Sequence, residues 1–119
     1  MIKRLEMSGV NTKLDKELKT YIRQKIGPLD RYVPKTARES LHVEVKLKES
    51  KAKNKTGHEC EVIMHLPYER VTTHAKATTL LAAIDEAEDK LKIQLKKYKE
   101  KHGGPRLHRR VVRFIRRRG

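Results

Sequence analysis

The sequence predicts an α+β domain in which two helices pack on one face of a four-stranded sheet, in the order β-α-β-β-β-α. Four segments alternate apolar and polar residues with the period of a strand, and two longer segments carry apolar residues at helical spacing. The length of 119 residues suits one domain with its own core and is too short for two ordinary ones. We therefore expect two layers around a single core.

The first strand is short and lies close to the N-terminus. Within residues 2–8, Leu5 and Met7 fall on one side, and the charged Arg4 and Glu6 fall on the other. This alternation stops at Ser8-Gly9, where we expect the strand to end.

The first helix is expected to begin with Asp15 as its N-cap. Gly27-Pro28 interrupts it, because proline lacks a backbone donor and crowds the preceding turn. The interruption should kink the helix or end its first segment; the apolar spacing continues past this point, so we favour a kink there and expect the helix to end at Pro34. The residues with helical spacing are Leu18, Tyr21, Ile22, Ile26, Leu29, Tyr32 and Val33.

Two further alternating segments predict a hairpin, with the polar, lysine-rich stretch Ser50 to Gly57 as its loop. A tight reversal at residues 67–70 then leads into a shorter antiparallel strand, Val71 to Lys76. The inward positions of the hairpin are Leu41, Val43, Val45 and Leu47 on one strand, and Cys60, Val62, Met64 and Leu66 on the other.

The second helix, residues 79–101, begins at Thr78 or Thr79 and changes from acidic to basic along its length. This order of charges complements the helix dipole, but it does not explain the excess of lysine. The apolar residues are Leu80, Ile84, Ala87, Leu91, Leu95 and Tyr98. Within residues 90–101 the one acidic residue is Glu100. The lysines of this stretch are Lys90, Lys92, Lys96, Lys97, Lys99 and Lys101.

These lysines are the primary candidates for contact with a phosphate backbone. We expect Lys90, Lys97 and Lys101 to form one row, and Lys92, Lys96 and Lys99 an adjoining row that faces phosphates across a groove. Basic residues of the first helix are expected to extend this surface; they are Lys16, Arg23, Lys25 and Arg31.

The C-terminal segment 102–119 follows a Gly103-Gly104-Pro105 break and carries seven arginines and no acid. We expect it to be an appendage to a domain of residues 1–101, disordered when alone, because so charged a segment buries little apolar surface. Arginine suits phosphate oxygens and base stacking, so RNA binding is expected of the tail. Its arginines are Arg106, Arg109, Arg110, Arg113, Arg116, Arg117 and Arg118.

The formal net charge of +15 implies a polyanionic partner. Nucleic acid is favoured over a membrane surface, because no amphipathic segment has a large aromatic or leucine-rich face. Acidic proteins are a less favoured alternative. The chain has a single cysteine and no apolar signal or membrane-spanning run, so we expect a soluble, cytoplasmic protein.

Residues that could carry out chemistry are present, but their arrangement argues against it. His58, Cys60, His65 and His74 include the usual zinc-ligand types, yet Cys60 points inward and no paired short spacing exists. The acidic residues of the second helix have no glycine loop to form a pocket. We expect no enzyme activity, metal, cofactor or small-molecule substrate. Tyr68 and Phe114 are candidates for base stacking, whereas Tyr32 is expected in the core.

Several of these segments resemble the ribosome hibernation factors, the family that includes the ribosome-associated inhibitor and the hibernation-promoting factor. The resemblance spans about residues 4 to 101. Its main motifs are AAID at 82–85 and DKLKIQLKKYKEK at 89–101; Ser8-Gly9, residues 18–22, LDRY at 29–32 and MHLP at 64–67 fall in the expected order.

The resemblance implies the β-α-β-β-β-α fold, similar to double-stranded-RNA-binding domains, and a role in stationary phase and stress. It also implies binding to the small ribosomal subunit and its rRNA in the decoding region, in competition with mRNA and tRNA. The protein would then silence translation as a monomer. Two alternatives remain: a general double-stranded RNA-binding module acting off the ribosome, and a ribosome-binding regulator of stress proteases or scaffold for a modulation partner.

Two departures from the family pattern stand out. Leu81 occupies a position that is usually aromatic. Long members of the family carry a second domain that pairs two ribosomes, and this chain is too short to hold one, so self-driven ribosome dimerisation is not expected.

Overall fold

The computed structural model describes residues 1–52 and 55–102, and it confirms the predicted α+β class. Two long helices and a four-stranded sheet follow one another in the expected order. The elements are β1 (Arg4–Val10), α1 (Lys16–Ile26), a 3-10 helix (Gly27–Tyr32), α2 (Lys35–Arg38), β2 (His42–Ala52), β3 (Lys55–His65), β4 (Arg70–Ala77) and α3 (Leu80–His102).

The sheet is mixed and its strands lie in the order β1-β2-β3-β4. β1 runs parallel to β2, with Leu5 opposite Val43. The other pairs are antiparallel, so that Val62 of β3 lies opposite Val45 of β2 and Thr73 of β4. A parallel pair needs a crossover connection, which α1 and the segments after it provide.

One face of the sheet and one face of each long helix form the core. Val45, Val62 and Leu91 of α3 are almost completely buried, as the alternation in the strands and the stripe in α3 predicted. Burying apolar side chains on one side of each element fixes how the helices lie on the sheet. The opposite side of α3 is left exposed, and that side carries the charge.

Side-chain caps set the starts of both long helices. Asp15 accepts a hydrogen bond from the Leu18 amide at 2.8 Å, as predicted. Of the two threonines proposed for α3, Thr79 is the cap: its hydroxyl accepts from the Ala82 amide at 3.1 Å.

The prediction of a kinked first helix was wrong. α1 ends at Ile26, and the chain continues as a 3-10 helix with Pro28 in its first turn. Because Pro28 has no amide hydrogen, the α-helical bonding pattern cannot continue through it. The short α2 that follows Pro34 was not predicted.

Two strand boundaries also differ from those predicted. β1 continues to Val10, which pairs with Lys48, so Ser8-Gly9 lies within the strand. The hairpin strands run to Ala52 and restart at Lys55, which leaves a much shorter connection than residues 50–57. Polar residues can form a strand when a neighbouring strand supplies backbone partners, and the sequence pattern does not reveal this.

The outer face of the sheet carries no helix among the described residues, and histidine-carboxylate pairs lie across it. His65 Nε2 donates to Glu44 Oε2 at 2.8 Å, and the imidazoles of His65 and His42 stack with centroids 5.2 Å apart. His42 lies 3.4 Å from Glu6, and His74 lies 3.5 Å from Glu59. Acidic and basic groups are therefore interspersed on this face.

Candidate nucleic-acid interface

The candidate interface is built on α3, whose apolar residues hold one side against the sheet. Lys90, Lys96, Lys97, Lys99 and Lys101 are exposed, and Lys92 is half-buried. All six lie outside the buried stripe, because each is offset along the helix from the positions that face the core. The core packing of α3 thus presents these lysines to the surface.

The first row of lysines runs along the edge of α3 that faces β4. Lys90 Nζ donates to the His74 backbone carbonyl at 2.9 Å and lies 3.6 Å from Glu86. At the far end, Lys101 Nζ lies 3.3 Å from Glu69 Oε2, in the turn between β3 and β4. Lys97 falls between them at helical spacing.

The second row lies on the opposite edge, beside α1. Lys92 is 3.7 Å from Glu88, and Lys25 of α1 lies 4.0 Å from the same carboxylate. Lys90 and Lys92 are separated by about 200° around the helix, at about 100° per residue. The two rows are therefore on opposite edges of α3, and the expectation that they adjoin was wrong.

Three lysines in the C-terminal half of α3 have no ion pair within the part of the chain that the structure describes. They are Lys96, Lys97 and Lys99. Their charge is not neutralised by a neighbouring carboxylate, in contrast to Lys90, Lys92 and Lys101. They are the cations of α3 most available to an external anion.

Among the basic residues proposed on the first helix, Lys25 contacts acidic side chains of α3. Its ammonium lies 3.8 Å from Asp85 and 5.7 Å from the centre of the Tyr21 ring. Arg23 is two positions earlier, so it projects from the other flank of α1, as does Lys16. Arg31 packs over the Tyr32 ring at 5.0 Å.

The remaining predicted contacts fall outside the described residues. These are the arginines of the tail, Arg106, Arg109, Arg110, Arg113, Arg116, Arg117 and Arg118, and the aromatic Phe114.

Sequence reasoning missed the carboxylates that hold several of the lysines. Glu86 and Glu88 precede Lys90 and Lys92 by four residues, a spacing that allows ion pairs on a helix. This signal was available in the sequence. The link from Lys25 to Glu88 depends on how α1 packs on α3 and had no local signal.

The two aromatic candidates that the structure describes differ in how much of the side chain is exposed. Tyr32 is partly buried against the core, as expected, whereas 89% of the Tyr68 side chain is exposed. Tyr68 lies in the turn between β3 and β4, next to the residue that pairs with Lys101.

The described residues include no group of three histidine, cysteine, aspartate or glutamate side chains that could hold a metal ion. Cys60 is fully buried, and burial raises the pKa of its thiol to about 12. A thiol with so high a pKa is a poor nucleophile at neutral pH. An open groove of about 490 Å³ lies between the starts of α1 and α3, but the Asp15 and Thr79 oxygens that line it already cap the two helices.

No helix among the described residues is long and apolar enough to cross a lipid bilayer.

Comparison with known proteins places the chain in a family. Residues 5–103 match the family model described as "Sigma 54 modulation protein / S30EA ribosomal protein". The chain is 32% identical over 98 residues to the ribosome hibernation promotion factor of Staphylococcus aureus (strain COL), covering 81% of this chain. It spans about half of that relative, 48% of its length.

A ribosome hibernation promoting factor of Pseudomonas putida is similar over more of its own length. It is 30% identical over 97 residues, which cover 82% of this chain and 87% of the relative.

Solved structures agree with the fold. The N-terminal domain of Thermus thermophilus Protein Y superposes with a TM-score of 0.67 at 27% identity, covering 78% of this chain and 94% of that domain. A ribosomal subunit interface protein of Coxiella burnetii has a TM-score of 0.66 at 21% identity, covering 81% and 97%, and this likeness concerns the fold alone. From the family match and the relatives together, the chain belongs to the Sigma 54 modulation protein / S30EA ribosomal protein family, which includes the ribosome hibernation promoting factors.

Proposed function

We propose that this protein is a ribosome hibernation factor that binds the small ribosomal subunit in the decoding region. There it blocks mRNA and tRNA and stabilises inactive ribosomes in the cytoplasm. Membership of the family and the names of the curated relatives support the association with ribosomes.

The observation that carries this proposal is the set of exposed lysines in the C-terminal half of α3. Lys96, Lys97 and Lys99 have no described carboxylate partner, and the fold holds the helix rigidly against the sheet. Cations fixed along both edges of one helix favour a polyanion, and folded RNA presents phosphates at closely spaced positions. Lys25, Lys90, Lys92 and Lys101 add charge at the edges.

Occupancy is the proposed mechanism. A rigid α+β body needs no catalytic group to exclude mRNA and tRNA from a site that it fills. Phosphate contacts provide affinity without sequence specificity, and the shape of the folded rRNA provides selectivity. We infer that a monomer acts in this way and that no chemical reaction takes place.

We further propose a division of labour along the chain. Residues 1–101 form the ribosome-binding domain, and residues 102–119 form a Gly-Gly hinge and an arginine-rich tail that contacts rRNA. Seven arginines without an acidic residue make this segment strongly basic.

A competition experiment tests the proposal. Labelled protein is bound to isolated small subunits, and mRNA with initiator tRNA is then added in increasing amounts. We expect the two to displace the protein, and excess protein to displace them. A matched variant, K96Q/K97Q/K99Q, should compete more weakly at the same total concentration.

Two outcomes would contradict this function. One is simultaneous binding of protein, mRNA and initiator tRNA without mutual displacement. The other is equal affinity for isolated RNA duplexes and for small subunits, which would indicate a general double-stranded RNA-binding module.

A further inference from the structure

Tyr68 lies in the turn between β3 and β4, and its backbone conformation and its exposure are both unusual. Its φ is 75°, a left-handed conformation that costs an L-residue with a Cβ atom about 1–2 kcal/mol. Its side chain is 89% exposed and contributes nothing to the core. The other non-glycine residue with positive φ in the described chain is Asn11, a type that tolerates this conformation. A strained, exposed aromatic residue is a candidate for a role in binding.

The turn that carries Tyr68 is anchored on both sides of the tyrosine. The buried Tyr98 hydroxyl donates to the Pro67 carbonyl at 2.8 Å. On the other side, Lys101 Nζ lies 3.3 Å from Glu69 Oε2, and the Leu66 amide donates to the Glu69 carbonyl at 3.1 Å. The backbone of Tyr68 is thus held in place at the C-terminal end of α3, which lowers the entropic cost of binding.

Two lysines lie on the edge of α3 that meets this turn, where Lys101 contacts Glu69, the residue after Tyr68. Lys101 keeps 67% of its side chain exposed despite its contact with Glu69. Lys97, one helical turn earlier on the same edge, is exposed and has no described ion pair. An aromatic face for a base beside ammonium groups for its phosphates is the arrangement by which proteins bind single-stranded nucleic acid. An acidic peptide would use the lysines but would not require the exposed ring.

We propose that Tyr68, Lys97 and Lys101 form a subsite for one unstacked nucleotide of single-stranded RNA, with the Tyr68 ring stacked on the base and the lysines on the flanking phosphates. The inference rests on the proposed function, in which rRNA supplies that nucleotide. It assigns to the β3-β4 turn a role that the lysine rows alone do not predict.

The test compares Tyr68→Phe, Tyr68→Ala and Tyr68→Gly in binding to small ribosomal subunits. Phe keeps the ring and should bind like the parent protein. Loss of stacking in the Ala and Gly variants should weaken binding by about 5- to 150-fold. Since no charge is removed, the dependence of affinity on salt should stay the same, whereas K97Q/K101Q should lower the log-log salt slope by about 1.4 to 1.8.

Thermal unfolding separates binding from structure. Tyr68→Gly relieves the positive φ, so its Tm should equal or exceed that of Tyr68→Ala although its binding is equally weak. If Tyr68→Ala and Tyr68→Gly differ in affinity, and the variant with the lower Tm is also the weaker binder, then Tyr68 has a structural role and the subsite is wrong.

A second RNA target keeps the two proposals distinguishable. If the parent protein binds small subunits and the Gly and Ala variants bind as well as Phe, the subsite is wrong and the proposed function stands. If the parent protein fails to bind small subunits, the proposed function is wrong, and a single-stranded oligoadenylate becomes the target. Equal affinity of all variants for the oligoadenylate would then reject the subsite as well.

Discussion

The hydroxyl of Tyr21 donates a hydrogen bond to a carboxylate oxygen of Asp85, and this contact joins α1 to the first half of α3. Lys25 lies over the same tyrosine ring and 3.8 Å from the same aspartate. This hydrogen bond sets the spacing between the two helices close to Glu88. The Glu88 carboxylate forms ion pairs with both Lys25 and Lys92. The Tyr21–Asp85 hydrogen bond therefore supports the edge of the candidate interface that contains Lys92, although neither residue belongs to the lysine rows.

Tyr21→Phe should lower the free energy of unfolding by roughly 0.5–1.5 kcal/mol, because the hydrogen bond is lost and Asp85 keeps access to water. The hydrogen bond to Asp85, followed by burial, raises the pKa of Tyr21 from 10.0 to about 12. The stabilisation is therefore present below pH 10 and is lost as the pH rises towards about 12. Burial also raises the pKa of Tyr98, so tyrosinate absorbance during an alkaline titration should show late components from both tyrosines in the parent protein, and Tyr21→Phe should lose the one that belongs to Tyr21. In Asp85→Asn that component should move to lower pH; an unmoved component would contradict the assignment.

Leu91→Ala should destabilise the fold by about 2–5 kcal/mol, since Leu91 is fully buried and its removal leaves a cavity. Ile93→Ala on the same helix is the matched control. Ile93 is 55% exposed, so its replacement should change the free energy of unfolding by less than about 0.5 kcal/mol. Urea unfolding monitored by circular dichroism measures both. Equal effects of the two substitutions would mean that α3 packs with a different face.

Glu44→Gln should make stability less sensitive to acid. The hydrogen bond from His65 holds the pKa of the Glu44 carboxyl below its ordinary value of 4.5. A lowered folded-state pKa stabilises the protein above the ordinary value, and this stabilisation disappears as the pH falls through the folded-state value. The free energy of unfolding should therefore fall less steeply with acidification in Glu44→Gln than in the parent. Glu61→Gln, on the same outer face but without an ion pair in the described chain, should follow the parent slope.

K96Q/K97Q/K99Q should lower the log-log salt slope of binding to small subunits by about 2 to 3 units, at about 0.7–0.9 per lost phosphate contact. The triple variant K46Q/K48Q/K76Q removes the same charge from the outer face of the sheet. These three lysines are exposed on that face, so their loss should leave the slope near that of the parent. Identical slopes for both triple variants would show that net charge, and not the surface of α3, governs binding.

Cys60 should resist thiol reagents in the folded protein and react rapidly in urea. The thiol is fully buried, so a reagent cannot reach it. Desolvation also raises its pKa to about 12, so the reactive thiolate is almost absent at neutral pH. The chain has one cysteine, so labelling followed by mass spectrometry reports this site without background. Leu91→Ala should label faster than the parent, because destabilisation increases the population of open states. Rapid labelling of the native parent protein would contradict the burial of this strand.

The fold was largely predictable because a few apolar patterns dominate it. In α3, the stripe that contains Leu91 and Leu95 fixes both the type of element and its buried side. Boundaries were harder, since the end of α1 depends on the local effect of Pro28 and the length of the hairpin depends on backbone pairing. The charged contacts were the least predictable: Lys25 meets Glu88 only after α1 has packed on α3, and no local pattern encodes that meeting.

Because β1 pairs with β2, it cannot join the sheet during synthesis until β2 has been made. Arg4 pairs with His42, and among the described strands β1 has no other partner. A chain made from its N-terminus exposes residues 1–41 before any strand exists with which β1 can pair. The antiparallel neighbours β2, β3 and β4 are close in sequence and need only short loops to meet, whereas β1 must close a long one. The N-terminal third of a nascent chain is thus an unpaired strand and a helix with an uncovered apolar side until the middle of the protein has been translated.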